Sequence, residues 1–407
     1  MTTVSLSYNP KVAGEVTQLP ASKSISNRAL LLHALGGGEL FNLSAARDTR
    51  LMQALIRSTE PTINVMDAGT TMRFLTAYFT VTRQSKILTG TARMKERPIA
   101  PLVDALRTLG ATIEYVEHSG FPPIEIKSFH PRFGQIDIPG NISSQYISAL
   151  MMVAPTLPTG LRINIQGKIG SRPYIDMTAR MMAEFGVTAV WEGATIVVPP
   201  GKYRPAQFTV EGDWSAASYW FALASLAETA TLTLPGLTEA SLQGDRAIVE
   251  IMKPLGVASE FTSRGVVLRK QAATNEVQID FTDCPDLAQA VLPVCALKNI
   301  SGRFTGLESL RIKETDRIQA LQTELAKVGA VLSEPGPGQW HLTPATAVPN
   351  AVQIATYHDH RMAMGFAPWA TRMNVTIEEP HVVEKSYPSF WEDVANVGIT
   401  LRYNSSR

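Results

Sequence analysis

The chain has 407 residues, 45% of them hydrophobic and 18% charged, with 37 basic and 36 acidic side chains. A single core rarely grows past about 250–300 residues, so two domains are expected. A net charge of +1 excludes a nucleic-acid binder that relies on overall basicity, and any anion must be met by a local pocket.

Met1 to Gly14 holds no basic region followed by an apolar run, so no signal peptide is expected. The longest apolar stretches, such as Tyr219–Ala227, fall far short of the roughly 20 residues of a membrane span. The two cysteines, Cys284 and Cys295, are too few for a disulfide framework and stand in no zinc-like cluster. They read as reduced thiols, and the expectation is a cytoplasmic chain with no membrane partner.

In chain order, small and polar residues open apolar helices at Ser22–Leu35, Asp67–Phe79, Asn141–Val153, Gly212–Leu226, Asp286–Leu297 and Asp359–Trp369. Arg73, Tyr146, Tyr219, Gln289 and Arg361 mark the last five at intervals of 73, 73, 70 and 72 residues, whereas Arg28 lies only 45 residues before Arg73. A second series of helices runs into Gly110, Gly186, Gly256, Gly329 and Gly398, at intervals of 76, 70, 73 and 69. Glycine takes the left-handed conformation that ends a helix without a Cβ clash. Ile318, Leu321, Leu325 and Val328 form one face of such a helix. Six units are readable, the first short by roughly 28 residues; its outer helix, near Thr49–Arg57, survives, but the glycine and a strand pair are missing. The pattern predicts an α/β chain built by duplication, with one buried and one amphipathic helix per unit and three units per domain. A solenoid is the alternative, although about 72 residues is long for a solenoid unit.

The residues that carry chemistry gather at helix starts, where free N–H groups and the helix dipole favour an anion. Lys23, Ser24, Ser26, Asn27 and Arg28 open the first helix, Asp67-Ala68-Gly69-Thr70-Thr71-Met72-Arg73 the second, and Asn141-Ile142-Ser143-Ser144-Gln145 the third. Each alone also reads as a cap. Arg311-Ile312-Lys313-Glu314-Thr315-Asp316-Arg317 is sharper, because cations at a helix N-terminus have the wrong sign for the dipole unless an anion lies among them. Arg93, Lys95, Glu96 and Arg97 form a similar knot, as do Arg361 and Lys385. His358-Asp359-His360 invites a metal reading, but no third ligand stands nearby, and no metal is expected. No phosphate-binding loop, complete dinucleotide fingerprint or nucleophile elbow is present.

Leu19-Pro20-Ala21-Ser22-Lys23-Ser24-Ile25-Ser26-Asn27-Arg28, Ala68-Gly69-Thr70-Thr71-Met72-Arg73, Glu96-Arg97-Pro98, Lys313-Glu314-Thr315-Asp316-Arg317 and Asp359-His360-Arg361-Met362-Ala363 together resemble the 5-enolpyruvylshikimate-3-phosphate (EPSP) synthase family, the 3-phosphoshikimate 1-carboxyvinyltransferases. The likeness runs in order from about residue 19 to Lys385. It implies a mixed α/β, two-domain inside-out barrel, or alpha-beta prism, each domain three βαβαββ-type units around buried parallel helices. Residues 21–211 would form the N-terminal domain, and 1–20 plus 212–407 the C-terminal one, with the active site in the cleft between them. The implied reaction moves the enolpyruvyl group of phosphoenolpyruvate to the 5-hydroxyl of shikimate 3-phosphate and releases phosphate, a step of aromatic amino-acid synthesis. No cofactor is implied, and a monomer is expected.

By the same resemblance, Lys23, Ser24, Arg28, Ser143, Ser144, Gln145, Ser171, Tyr174, Asp286 and Lys313 would hold shikimate 3-phosphate. Lys23, Gly69, Arg97, Gln145, Arg317, Arg361 and Lys385 would hold phosphoenolpyruvate, where glyphosate is expected to compete. Asp286 would be the base at the 5-hydroxyl, Glu314 the acid–base group at the methylene, and Lys313 and Lys23 the catalytic cations. Read without the resemblance, Asp286 is a helix cap and Glu314 a surface residue of a first turn. Asp67, Phe74 and Ser309 depart from the family pattern, which usually has Asn, Pro and Asn there. Two rivals remain. The sibling that enolpyruvylates UDP-N-acetylglucosamine carries a reactive Cys where Gly90–Glu96 has none, and a non-catalytic anion binder would have no need of two positioned carboxylates.

Overall fold

The computed structural model describes residues 2–132 and 134–405. The chain divides into two units, one of Lys23–Ser44 and Asp48–Val210, the other of Met1–Ser22, Ala45–Arg47 and Glu211–Arg407.

In the first unit, three central helices, α1 (Lys23–Gly36), α2 (Gly69–Val81) and α3 (Ser144–Val153), are apolar along most of their length, and α2 packs on both α1 and α3. Burial on nearly every side explains why these helices lack the alternation of a surface helix. Around them lie two four-stranded sheets. One orders Thr62–Asn64, Lys86–Thr89, Ile124–Phe129 and Ala111–Tyr115; the other orders Gln135–Pro139, Leu161–Gln166, Thr195–Val198 and Val190–Glu192. In each, a parallel pair is followed by an antiparallel hairpin. Strands alternate inward and outward, as Leu161, Ile163 and Ile165 do.

The shortened repeat is visible as a two-stranded sheet, Gly38–Phe41 parallel to Ala206–Thr209. The pair joins the end of this unit's chain to its beginning, a ring closure that a linear solenoid does not make. Gly38 is required there: a Cβ would lie 2.1 Å from the Ala206 carbonyl oxygen, and its φ is +106°.

The second unit repeats the plan with α4 (Trp214–Leu226), α5 (Ala288–Leu297) and α6 (His360–Phe366), which pack on one another. Its three sheets have four strands each, and the chain start supplies two of them. Lys11–Glu15 pairs parallel with Thr229–Pro235, and Thr2–Leu6 lies between Asn374–Glu378 and Leu401–Ser405. These pairings tie the start of the chain to the second unit. The apolar run Tyr219–Ala227 is the buried core of α4.

The helix-ending glycines have φ of +105°, +85°, +92°, +77° and +107° at Gly110, Gly186, Gly256, Gly329 and Gly398. Ile318, Leu321, Leu325 and Val328 are all buried, the inner face of an amphipathic outer helix, Arg317–Ala326 and the turn after it. The last central helix is shorter than its pattern predicts, giving way at Phe366 to a 3-10 turn, Ala367–Thr371, that contains Pro368. The first outer helix runs Arg47–Leu55, slightly earlier than its pattern predicts. Among the described residues no helix is long and apolar enough to cross a membrane, and no group of His, Cys, Asp and Glu is arranged to hold a metal.

Candidate active site

Each unit gathers polar residues at the starts of its three central helices. In the first unit, Lys23 opens α1 and donates to Asp48 Oδ2 at 3.1 Å; Asp48 is buried in the first outer helix. Sequence reading missed Asp48, because an acidic residue in a helix's first turn is unremarkable by itself.

Arg28 is buried between Phe74 and Tyr174, with its guanidinium carbon 5.4 and 5.9 Å from the ring centres. Its Nε donates to Thr178 Oγ1 at 2.7 Å, its Nη1 to the Ser24 carbonyl at 2.9 Å and its Nη2 to Ser148 Oγ at 3.1 Å. Burial lowers its pKa to about 10, against a small opposing contribution from Tyr174. Arg28 therefore braces Tyr174 and the helix that carries it. Phe74 forms one wall of this cage, the role this chain gives a position where the family commonly has Pro.

At the starts of α2 and α3, Gln145 Nε2 donates to Thr70 Oγ1 at 3.0 Å, and Arg73 lies over the Tyr146 ring with its Nη1 donating to the Gly69 carbonyl at 2.8 Å. Arg97 is buried beside them. A Cβ on Gly69 would lie 2.6–2.7 Å from guanidinium nitrogens of Arg73 and Arg97, so only glycine lets both approach this backbone. Ser143 caps α3, its hydroxyl accepting from Gln145 N at 3.4 Å. Ser171 has φ +55° before helix Arg172–Glu184 and its side chain makes no cap bond to that helix. Lys23, Ser24, Gly69, Arg97, Ser143, Ser144, Gln145, Ser171 and Tyr174 thus all lie at or near helix starts of one unit. Asp67 is half-buried just ahead of Gly69.

In the second unit the charges interlock. Asp286 follows Pro285 in a 3-10 turn leading into α5. One carboxylate oxygen meets Arg317 Nη1 at 3.0 Å and Lys313 Nζ at 3.4 Å, and the other meets Arg361 Nη2 at 3.0 Å. Arg317, 2% exposed, also meets Glu314 at 2.9 Å and Asp359 at 2.7 Å. Lys385 lies 4.0 Å from Glu314, and Arg361 donates to the Tyr219 hydroxyl at 3.2 Å. Asp359 does two jobs: it caps α6 through Arg361 N at 2.9 Å and holds Arg317. Asp286 therefore spends its oxygens on cations, not on a cap, and Glu314 is 14% exposed between Arg317 and Lys385 rather than solvated. The cap of helix Arg317–Ala326 is Asp316.

Burial alone would raise the Asp286 carboxyl, but Arg361, Lys313 and Arg317 outweigh it and hold it well below the usual carboxylate range. Burial lowers Lys313, opposed by Asp286. Burial also works against the charge on Arg317, but Asp359, Glu314 and Asp286 overcome it and raise its pKa further. Asp245, which sequence reading missed, is buried at a 3-10 turn and accepts from the Ser215 hydroxyl. Burial, with repulsion from Asp286, pushes its carboxyl up to about 6. His358 and His360 do not act together: His358 is exposed and meets Glu379, and His360 is buried.

The fold defined by these two units is that of solved EPSP synthases. It superimposes on one from Acinetobacter baumannii with a TM-score of 0.79 at 20% identity, covering 100% of both chains. A model of the EPSP synthase (3-phosphoshikimate 1-carboxyvinyltransferase) family matches residues 52–394. The 3-phosphoshikimate 1-carboxyvinyltransferase of Bacteroides fragilis strain YCH46 is 48% identical over 391 residues, covering 95% of each chain. That of Shewanella halifaxensis is 37% identical over 413 residues, covering 94% of this chain and 96% of its own. The chain belongs to the EPSP synthase family.

Proposed function

We propose that this chain transfers the enolpyruvyl group of phosphoenolpyruvate to the 5-hydroxyl of shikimate 3-phosphate and releases phosphate, the activity for which its relatives are named. The observation that carries the reading is the second unit's cluster: a carboxylate, Asp286, shared by three cations, beside a second, Glu314, held by Arg317 and close to Lys385.

Lys23, Gly69, Arg97, Gln145, Arg317, Arg361 and Lys385 hold the carboxylate and phosphate of phosphoenolpyruvate. Lys23, Ser24, Arg28, Ser143, Ser144, Gln145, Ser171 and Tyr174 hold shikimate 3-phosphate, joined by Asp286 and Lys313. The 5-hydroxyl attacks C2 of phosphoenolpyruvate and gives its proton to Asp286 while C3 gains a proton from Glu314, which enters this step protonated. The tetrahedral adduct then returns a methyl proton to Glu314 and expels phosphate, which takes up the proton Asp286 had gained and whose charge Lys313 and Lys23 stabilise. No covalent bond to the enzyme forms.

A carboxylate that faces three cations is a weak base. Substrate oxygens that draw Arg361, Arg317 or Lys313 toward themselves let Asp286 regain basicity, so its strength as a base arrives with the substrates. The cysteines take no part: burial pushes the Cys284 thiol well up and that of Cys295 to about 12. Two buried free thiols suit the reducing cytoplasm.

Phosphate release from phosphoenolpyruvate tests the proposal, with shikimate 3-phosphate as acceptor in one assay and UDP-N-acetylglucosamine in another. Release with the first alone is expected; release with the second alone, or with neither, overturns it.

A further inference from the structure

The turn that delivers Asp359, His360 and Arg361 is unlike the other helix entrances. Tyr357 and His358, two consecutive residues that are not glycine, have φ of +54° and +56°. A bulky side chain in the left-handed region costs free energy and persists only where its surroundings hold it.

Two carboxylates hold this turn. Glu324, fully buried, accepts from the Ala355 N–H at 3.2 Å and from the Tyr357 hydroxyl at 2.7 Å. Glu379, itself at φ +46°, accepts from the Thr356 hydroxyl at 3.2 Å, and its other oxygen lies 3.0 Å from His358 Nδ1.

The places from which the two carboxylates come give the arrangement its meaning. Glu324 lies on the helix that begins at Arg317, and Glu379 opens the 3-10 turn that ends at Lys385. The strained turn is therefore tied to each of the two elements that carry the other cations, and Arg317 closes the loop by binding Asp359.

We propose that this turn is a latch, and that Glu379 and Glu324 are positioning residues that set Arg361, Arg317 and Lys385 in a common register for a phosphorylated carboxylate. The inference rests on the assignment of those cations to phosphoenolpyruvate. Neither glutamate touches the substrate. Loss of either leaves the cations present but misplaced, and a shift near 1 Å costs up to about 10²-fold.

The test compares wild type with Glu379→Ala, Glu379→Gln and Tyr357→Phe. It measures phosphate release with shikimate 3-phosphate, and separately phosphoenolpyruvate binding by calorimetry with and without shikimate 3-phosphate. Glu379→Ala is expected to weaken phosphoenolpyruvate, in KM and in Kd, by about tenfold or more while KM for shikimate 3-phosphate stays within about twofold. Glu379→Gln, which still accepts from Thr356, should recover most of the loss, and Tyr357→Phe should show a smaller effect of the same kind. Unchanged phosphoenolpyruvate affinity in folded Glu379→Ala, or equal loss for both substrates, overturns the latch. If Glu379→Ala does not fold, Tyr357→Phe decides: selective weakening of phosphoenolpyruvate supports the latch and unaltered affinity overturns it. Wild-type protein that binds phosphoenolpyruvate but releases no phosphate with shikimate 3-phosphate refutes the assigned reaction, and the binding comparison still decides the latch.

Discussion

Replacing Asp286 by Asn keeps the side chain's volume and removes one negative charge from a cluster of four cations (Lys313, Arg317, Arg361 and Lys385) and three carboxylates (Asp286, Glu314 and Asp359). Arg317 and Arg361 are 2% and 9% exposed, so water does little to replace the lost partner. Removing one member of a buried pair costs about 3–5 kcal/mol. The remaining amide oxygen still accepts from one cation, which places the expected loss near the low end, about 3 kcal/mol, read by denaturant unfolding at neutral pH. The Asp286 pKa lies below its unfolded value of about 3.9, so its contribution is fully present above that value and is lost as pH falls through the folded one. The gap between variant and wild type should therefore close only in acid below about pH 4. Loss of the base should lower kcat by about 10²–10⁴-fold. Phosphoenolpyruvate affinity should be kept or rise, since Arg317 and Arg361 lose a competing anion. A kcat within about tenfold of wild type, or phosphoenolpyruvate affinity falling in step with kcat, would refute the reasoning.

Other substitutions probe separate parts of the site. Lys23→Met should reduce phosphate release by at least about 10²-fold with unchanged circular dichroism, because it removes a cation assigned to both ligands; normal turnover would remove Lys23 from the site. Gly69→Ala, whose new methyl would displace the guanidinium groups of Arg73 and Arg97, should raise KM for phosphoenolpyruvate by about tenfold to 10²-fold and leave that for shikimate 3-phosphate nearly unchanged. Asp245 has a carboxyl raised to about 6, so the folded state binds its proton more tightly than the unfolded chain. Its contribution is full below about pH 4 and falls by about 3 kcal/mol as pH rises to 6. Asp245→Asn should gain that amount relative to wild type across the same window, measured by chemical unfolding at several pH values; a constant difference would show that Asp245 stays ionised.

The fold was legible because its signal is periodic. Five of the six apolar helices and five helix-ending glycines recur at nearly constant spacing, and each glycine has the positive φ its position predicts. The short first unit also showed as a missing interval. The strand exchange at the chain start was reached through family likeness alone: nothing in Thr2–Leu6 distinguishes a strand that pairs with Asn374–Glu378 from one that pairs locally. At the site, cations of the wrong sign for a helix start pointed to Lys313 and Arg317, whereas the carboxylates that brace the surrounding turns and helix starts stayed hidden. Asp48, Asp245, Glu324 and Glu379 act across gaps of 25, 30, 33 and 21 residues, to Lys23, Ser215, Tyr357 and His358 respectively, and such pairings leave no periodic trace. Asp286 and Glu314 illustrate the same limit, since a cap and a surface residue fit their local sequence equally well.

An anion site made of cations alone would carry strong mutual repulsion before its ligand arrives. In this chain Asp286, Glu314 and Asp359 stand in for the missing anion and keep Arg317, Arg361 and Lys313 charged and oriented in a buried place. On the proposed mechanism the carboxylates that offset the charge are also the ones the chemistry would use, so that ligand binding and base activation would be one exchange of partners. Asp359 is the exception: it is fixed by its cap to α6 and by the strained turn before it, and it keeps Arg317 oriented while Asp286 and Glu314 change partners. On that reading the two consecutive positive-φ residues, Tyr357 and His358, stand directly before Asp359, whose contacts would have to hold through the exchange.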